Sequence, residues 1–269
     1  MSHNLSRLFY LHGDKKPVSG FEDIRFINDV DEFNNNTPNI TDYKNYFDFD
    51  VNRKKFELTT IYPGLLLGAG YSHPALKDIN KTDRNEESDF QLGFFFDHTT
   101  GLPVIPGSSV KGVLKSVFPK TDFKYRDEKL KYIRDLTYNV LNESNAQNKD
   151  SSFITEDNWE EIFFGSVKAK RKHIFYDAYV SKLPDNNRLF EEDYITPHTK
   201  GIFKNPNPIR FLKVGPGVTF TFQFRLLDYN DKDGNVLISA DDINEVFRQI
   251  LIDFGVGAKR NVGYGQFKE

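Results

Sequence analysis

Cysteine is absent from this chain, and methionine and tryptophan occur once each. The missing thiols exclude disulfides, thiolate metal sites and cysteine nucleophiles together, a pattern expected of a reducing compartment such as the cytoplasm. Long apolar runs are missing too: no stretch approaches the roughly 20 consecutive apolar residues of a membrane-spanning helix, and the opening MSHNLSRLFY lacks the apolar core of a signal peptide. The expectation is a soluble, cytoplasmic protein with no membrane partner. Charge of one sign is also lacking. A net charge of −3 does not announce nucleic-acid binding as a strongly basic balance would.

What is present is apolar and aromatic. With 38% apolar residues and 26 phenylalanines, 269 residues suffice for one large domain or two small ones with a packed core. The charges are unevenly placed. Residues 1–52 hold 5 Lys and Arg against 9 Asp and Glu, and the remainder holds 31 against 30. Cations gather at Arg53-Lys54-Lys55, at Lys111 with Lys115, at Lys168 to Lys172, and at Lys259-Arg260. Each cluster by itself reads equally as a solvated surface.

Residues 1–55 are polar and acidic and read as a peripheral extension of loops and short elements packed on a core formed by 56–269. Phe56 to Gly68 and Phe90 to Asp97 read as strands, the second by alternation of Phe90, Leu92, Phe94 and Phe96. PGSSVKGVLKSVFP reads as a helix, with Ser108 or Ser109 as cap and Val110, Val113, Leu114, Val117 and Phe118 at helical spacing. Two more helices, about Asp127 to Leu141 and Thr155 to Phe164, form a helical insertion at about 125–165. Strands follow at His173 to Val180 and at Val218 to Leu226, the latter half-buried with Thr219, Thr221, Gln223 and Arg225 facing away from the core. The proline-broken stretch between them reads as an irregular excursion or projecting hairpin. A final helix begins after Ser239, whose spacing to Asp242 is that of a capping box, and ends at Gly255. With the insertion set aside, the order is strand, helix, strand, strand, helix, strand. The fold class is α+β, with the ferredoxin-like or RRM-like βαββαβ arrangement.

Two segments invite chemistry. The helix start at Ser108 offers backbone N–H groups and the positive end of a helix dipole. It is not a Walker P-loop, because Val110 precedes Lys111 and Gly112 follows it. The Ser108-x-x-Lys111 spacing of penicillin-binding enzymes lacks a following Ser-Asp-Asn, and Lys111 stands where the second glycine of a Gly-x-Ser-x-Gly elbow belongs. The other segment, DFGVGAKRNVGYGQF, lacks the third glycine of a dinucleotide fingerprint and follows a helix instead of a strand. Its glycines permit a loop that brings main-chain N–H groups close to a ligand while Lys259 and Arg260 supply charge.

Taken together, PGSSVKG after TGLPVI and GVGAKRNVGYGQF after an amphipathic helix resemble the RAMP superfamily of CRISPR effector proteins. That superfamily has an RRM-like sheet and a C-terminal glycine-rich loop. GLLLGAGYSHP, FGSVKAKRKHIFYDAYV, ITPHTKGIF and NPIRFLKV extend the resemblance to the capping RAMP subunit of type III-B (Cmr) complexes, over roughly Phe56 to Lys268. The resemblance implies an RNA-binding, non-catalytic subunit of an antiviral ribonucleoprotein, positioned at the 3′ end of the guide RNA. Its partners would be guide RNA, target RNA and other RAMP subunits, with no cofactor and no metal. By position, the RNA-contacting residues would be Gly107, Ser108, Ser109, Lys111, Lys115, Gly255, Gly257, Lys259, Arg260 and Gly263. His198 and Lys200, on the excursion, would meet the guide-target duplex or a neighbouring subunit.

Three other readings stay open. RAMP backbone subunits cut target RNA with a metal and an acidic loop residue, and Asp78, Asp83 and Asp89, with His73 nearby, fall in the corresponding loop. Metal-free cleavage would need histidine, for which His98, His173 and His198 are the candidates. A role confined to joining protein subunits is the third possibility, favoured by Tyr43, Tyr46, Phe47 and Phe49 in the acidic extension.

Overall fold

The computed structural model describes residues 30–43, 53–68, 94–97, 99–120, 124–144, 150–166, 171–195 and 209–269. The first half of the chain supplies α1 (Val30–Asn35), a 3₁₀ turn (Ile40–Tyr43), β1 (Lys54–Thr60), β2 (Val104–Ile105), α2 (Gly107–Val117) and α3 (Arg126–Glu143). Next come α4 (Trp159–Phe164), β3 (Gly165–Ser166), β4 (Arg171–Lys172), β5 (Ile174–Phe175), β6 (Ala178–Lys182), β7 (Phe190–Ile195) and β8 (Ile209–Val214). The last part holds β9 (Thr219–Arg225), β10 (Tyr229–Asn230), β11 (Val236–Ile238), α5 (Ala240–Phe254), a 3₁₀ turn (Arg260–Val262) and β12 (Phe267–Lys268).

The main sheet runs β12-β1-β9-β6-β2, with β5 also paired to β9, and every pairing is antiparallel. Its register sets Phe56 against Phe222 and Leu58 against Phe220, so one face of the central pair is apolar. α5 covers that face. Its capping box is formed as the sequence predicts: the Ser239 hydroxyl accepts the Asp242 N–H and the Asp242 carboxylate accepts the Ser239 N–H. Phe247, on the buried side of α5, meets Phe164, Phe175 and Phe224 at ring distances of 5.9, 5.7 and 5.5 Å. Such aromatic groups bury large areas and add edge and offset contacts beyond area alone.

The helical insertion belongs to the same core. Ile133 and Leu141 of α3 and Ile162 and Phe163 of α4 are fully buried in one cluster with the sheet phenylalanines. Phe118, directly after α2, stacks on Trp159 at 5.2 Å and meets Phe163 at 4.9 Å. α4 begins at Trp159, four residues after the predicted Thr155, because Thr155 N–H donates to Asn158 Oδ1 in the preceding turn.

β7 and β8 form a hairpin of six paired positions whose far end leads into residues 196–208, outside the described residues. α1 holds its base: Asn34 bonds both the N–H and the carbonyl of Phe190, and Phe33 lies 5.8 Å from the Phe190 ring.

Several sequence expectations need correction. β9 was expected to show one polar face to solvent, yet Thr221 is 3% and Gln223 2% exposed. Polar neighbours cover that face: Thr221 donates to Glu57, and Arg53 reaches Gln223 Oε1 at 2.8 Å while lying 3.8 Å over the Tyr176 ring. The strand predicted over Phe56 to Gly68 ends at Thr60, where the Tyr62-Pro63 turn begins, and Leu65 then bridges to Val214. Phe94 to Asp97 form no strand beyond a bridge between Phe96 and Pro103, although Phe94 and Phe96 are buried and Phe95 exposed, as alternation requires. The strand predicted over His173 to Val180 is divided at Tyr176-Asp177.

Candidate nucleic-acid interface

The two segments singled out in the sequence form opposite walls of one groove of about 560 Å³. Ile105, Pro106, Ser108, Ser109 and Val113 make the wall at the start of α2. Val256, Gly257 and Ala258 of the glycine-rich loop make the other. Leu66, Leu67 and Gly68 close it on one side, and Phe95 also faces it.

The α2 wall is capped differently from the sequence expectation. The N-cap is Pro106, and no side chain of the first turn caps the helix. The Pro106 carbonyl accepts from the N–H groups of Ser109 and Val110, and Asp177, seventy residues further on, accepts the Gly107 N–H at 2.6 Å. A carboxylate brought by β5–β6 thus does what a local serine would have done. Ser108 and Ser109 are left exposed on the groove. Gly107 is required for this approach, because a Cβ there would overlap the Phe175 carbonyl oxygen.

In the facing loop, Gly255, Gly257, Gly263 and Gly265 all have positive φ. The loop is laced to its surroundings: Val256 N–H donates to Gly265 O at 2.8 Å, Gly265 N–H to Gly64 O at 2.8 Å and Ala258 N–H to Leu66 O at 3.1 Å. A Cβ at Gly265 would overlap the Val256 carbonyl, and one at Gly257 would lie 2.7 Å from Leu66 O. The close approach these glycines permit is therefore largely to the chain's own backbone. Lys259, with φ 56°, holds the left-handed conformation that a non-glycine residue seldom takes and is exposed directly after the groove-lining Ala258. Arg260 donates to the Phe254 carbonyl at 3.1 Å, a cation at the C-terminus of α5.

The predicted lysines of α2 divide. Lys111 lies with Nζ 5.2 Å from the Phe175 ring centre, a cation-π distance. Lys115 pairs with Glu160 of α4, away from the groove lining. His198 and Lys200 lie outside the described residues, as do His73, Asp78, Asp83, Asp89, His98, Tyr46, Phe47 and Phe49. His173 is buried, its Nδ1 3.0 Å from the Phe163 carbonyl. Among the described residues no group of three His, Cys, Asp or Glu side chains is placed to hold a metal ion.

Sequence reasoning missed the polar cluster that ties the glycine-rich loop to the hairpin. The Tyr264 hydroxyl donates to Asp193 Oδ2 at 2.7 Å, and Lys213, only 4% exposed, donates to the same oxygen at 2.9 Å. Burial pushes Asp193 up, but the hydrogen bonds from Tyr264, Lys213 and the Tyr194 N–H outweigh it and hold the carboxyl below its usual range. Burial and donation to Asp193 push the Tyr264 hydroxyl up. The ring also packs with Leu66, Phe211 and Ile195. The one available signal was Tyr264 between two glycines in VGYGQF.

Residues 19–268 match the RAMP superfamily, and the chain belongs to it. A chain of the type III-B Cmr-β complex, solved by cryo-EM bound to cognate target RNA, has a similar fold. Its TM-score is 0.51 and its identity 24%, over 87% of this chain and 66% of that one. The present chain thus spans just under two thirds of the Cmr-β chain's length. Cmr6 from Pyrococcus furiosus aligns with a TM-score of 0.43 and 20% identity, over 81% of this chain and 97% of that one. No curated protein sequence matches.

Proposed function

We propose that this chain is an RNA-binding, non-catalytic subunit of a type III-B CRISPR ribonucleoprotein. It caps the effector filament at the 3′ end of the guide RNA and contacts the guide-target duplex. The observation that carries the RNA-binding reading is the shared groove: the α2 start with Ser108 and Ser109 faces the glycine-rich loop, with Lys259 exposed beside it. Serine hydroxyls along the groove and a cation at its rim suit an RNA whose phosphates pass along the edge, contacts that position a strand without reading its sequence. The superfamily membership and the fold shared with a chain of an RNA-bound Cmr-β complex support the assignment to such a particle.

The core is read as ferredoxin-like, which the order β12-β1-β9-β6 with α2 and α5 as crossovers supports. The covered polar side of β9 argues against the open-sheet base stacking of RRM domains. The modest net charge suits a subunit that needs only a local basic strip while the rest meets solvent or other subunits, in the cytoplasm. Tagging the protein in its native host and identifying what co-purifies tests the assignment. Short RNAs sharing one repeat-derived 5′ sequence, together with other RAMP subunits, are expected. Purification of the chain without RNA or RAMP partners would overturn it.

A further inference from the structure

Among the described residues, no charged side chain lines the groove between α2 and the glycine-rich loop. A phosphate placed inside it would meet hydroxyls but no cation, and the Asp177 carboxylate already accepts the first N–H of α2 beside it. Charge sits outside instead, on Lys259, exposed directly after the lining residue Ala258. A neutral, largely apolar cleft with a cation at its rim matches a ligand that is uncharged at one end and anionic at the other.

Among the described residues that line the cleft, Phe95 is the one aromatic side chain. Phe94 and Phe96 on either side are buried in the core, so alternation turns Phe95 outward, where it is 37% exposed. Its position is held from below, since its carbonyl accepts the Val104 N–H of β2 at 3.3 Å. An exposed phenylalanine on a fixed backbone is a platform on which any base can stack. The volume, about 560 Å³, lies within the ordinary range of small-molecule sites.

Resting on the RNA-binding reading above, we propose that this groove receives one unstacked nucleobase of the bound RNA. Phe95 stacks on its face, the Ser108 and Ser109 hydroxyls meet its edge, and the adjoining phosphate stays outside near Lys259. Because stacking is indifferent to base identity, the site fixes the register of the RNA without selecting sequence.

An abasic scan tests this with the full-length protein. A short single-stranded RNA is bound at low salt with the base removed at one position at a time. One position is expected to cost the wild type about tenfold in affinity, the size of a lost base stack. Phe95→Ala should weaken the intact RNA about tenfold and make that position insensitive, while Phe95→Tyr restores both. Phe95→Tyr should unfold thermally with the wild type, and Phe95→Ala, which loses a partly buried ring, should unfold somewhat lower but remain folded at the binding temperature. A scan with no sensitive position, or one whose sensitive position persists in Phe95→Ala, overturns the inference while leaving RNA binding intact. Unchanged RNA affinity in Phe95→Ala together with loss of a co-purifying subunit would make the occupant a protein side chain, and would equally overturn it. Absence of any salt-dependent RNA binding by the wild type would instead remove the functional reading itself.

Discussion

Two grooves on this chain differ in what they can hold. The first, between α2 and the glycine-rich loop, is lined by apolar groups and serine hydroxyls. The second, of about 400 Å³ between α3 and α5, presents Asp135, Glu143, Glu245 and Asp253 around Arg248. Arg248 is itself engaged by Glu245 and Glu269. A polyanion approaching the second groove meets net negative charge, whereas the described lining of the first carries no charge and Lys259 stands exposed at its rim. Under the proposed function this contrast assigns RNA to the glycine-rich side and leaves the α3/α5 side to solvent or to basic protein surfaces.

The most damaging way to break the comparison is to rebuild one wall. Gly265→Ala forces a Cβ into the Val256 carbonyl at φ 72°. It should cost about 3 kcal/mol or more of stability, read as a lower denaturant midpoint. An unchanged midpoint would mean that the loop is not laced as described.

Charge removal should separate the two sides next. Lys259→Ala with Arg260→Ala is expected to lower the salt slope of single-stranded RNA binding by about 1.4. Asp135→Asn with Glu143→Gln should leave the slope unchanged. Equal effects from both pairs would erase the distinction between the grooves.

Tyr264→Phe keeps the ring against Phe211 but removes the hydroxyl that donates to Asp193, and should cost about 1 kcal/mol. It also changes the acid response. The Asp193 carboxyl is depressed in the folded protein, so its contribution is present above the ordinary carboxylate range and is lost as pH falls through the folded value. Acid unfolding of Tyr264→Phe should therefore show a shallower loss in that window than the wild type, and a parallel curve would refute the coupling. The smallest effect belongs to Lys115→Ala. Its Glu160 partner lies at the surface, so a stability change under about 1 kcal/mol and no change in RNA affinity are expected from binding and unfolding titrations.

What the sequence disclosed follows the range of the forces involved. The α5 boundaries were legible because Ser239, Asp242 and Gly255 act on neighbours a few residues away. The alternation that places Phe95 outward was legible for the same reason. Long-range contacts were not: Asp177 replaces the serine cap from seventy residues away, Glu160 takes Lys115, and Asp193 and Lys213 meet Tyr264 across the hairpin. β9 misled because Thr and Gln at alternate positions look solvent-facing, while Glu57, Arg53 and Tyr176 from other elements cover them. The pairing of the α2 start with the glycine-rich loop came from family resemblance. Their place on one groove is a fact of the fold.

Photo-crosslinking tests the orientation most directly. A single-stranded RNA carrying 4-thiouridine would be bound to the full-length protein, irradiated and mapped by mass spectrometry. Adducts are predicted on the groove segments, around Leu66 to Gly68, Phe95, Ser108 to Lys111 and Val256 to Arg260. Adducts concentrated on α3 and α5, around Asp135, Glu143 and Asp253, would contradict the assignment of the RNA-binding side.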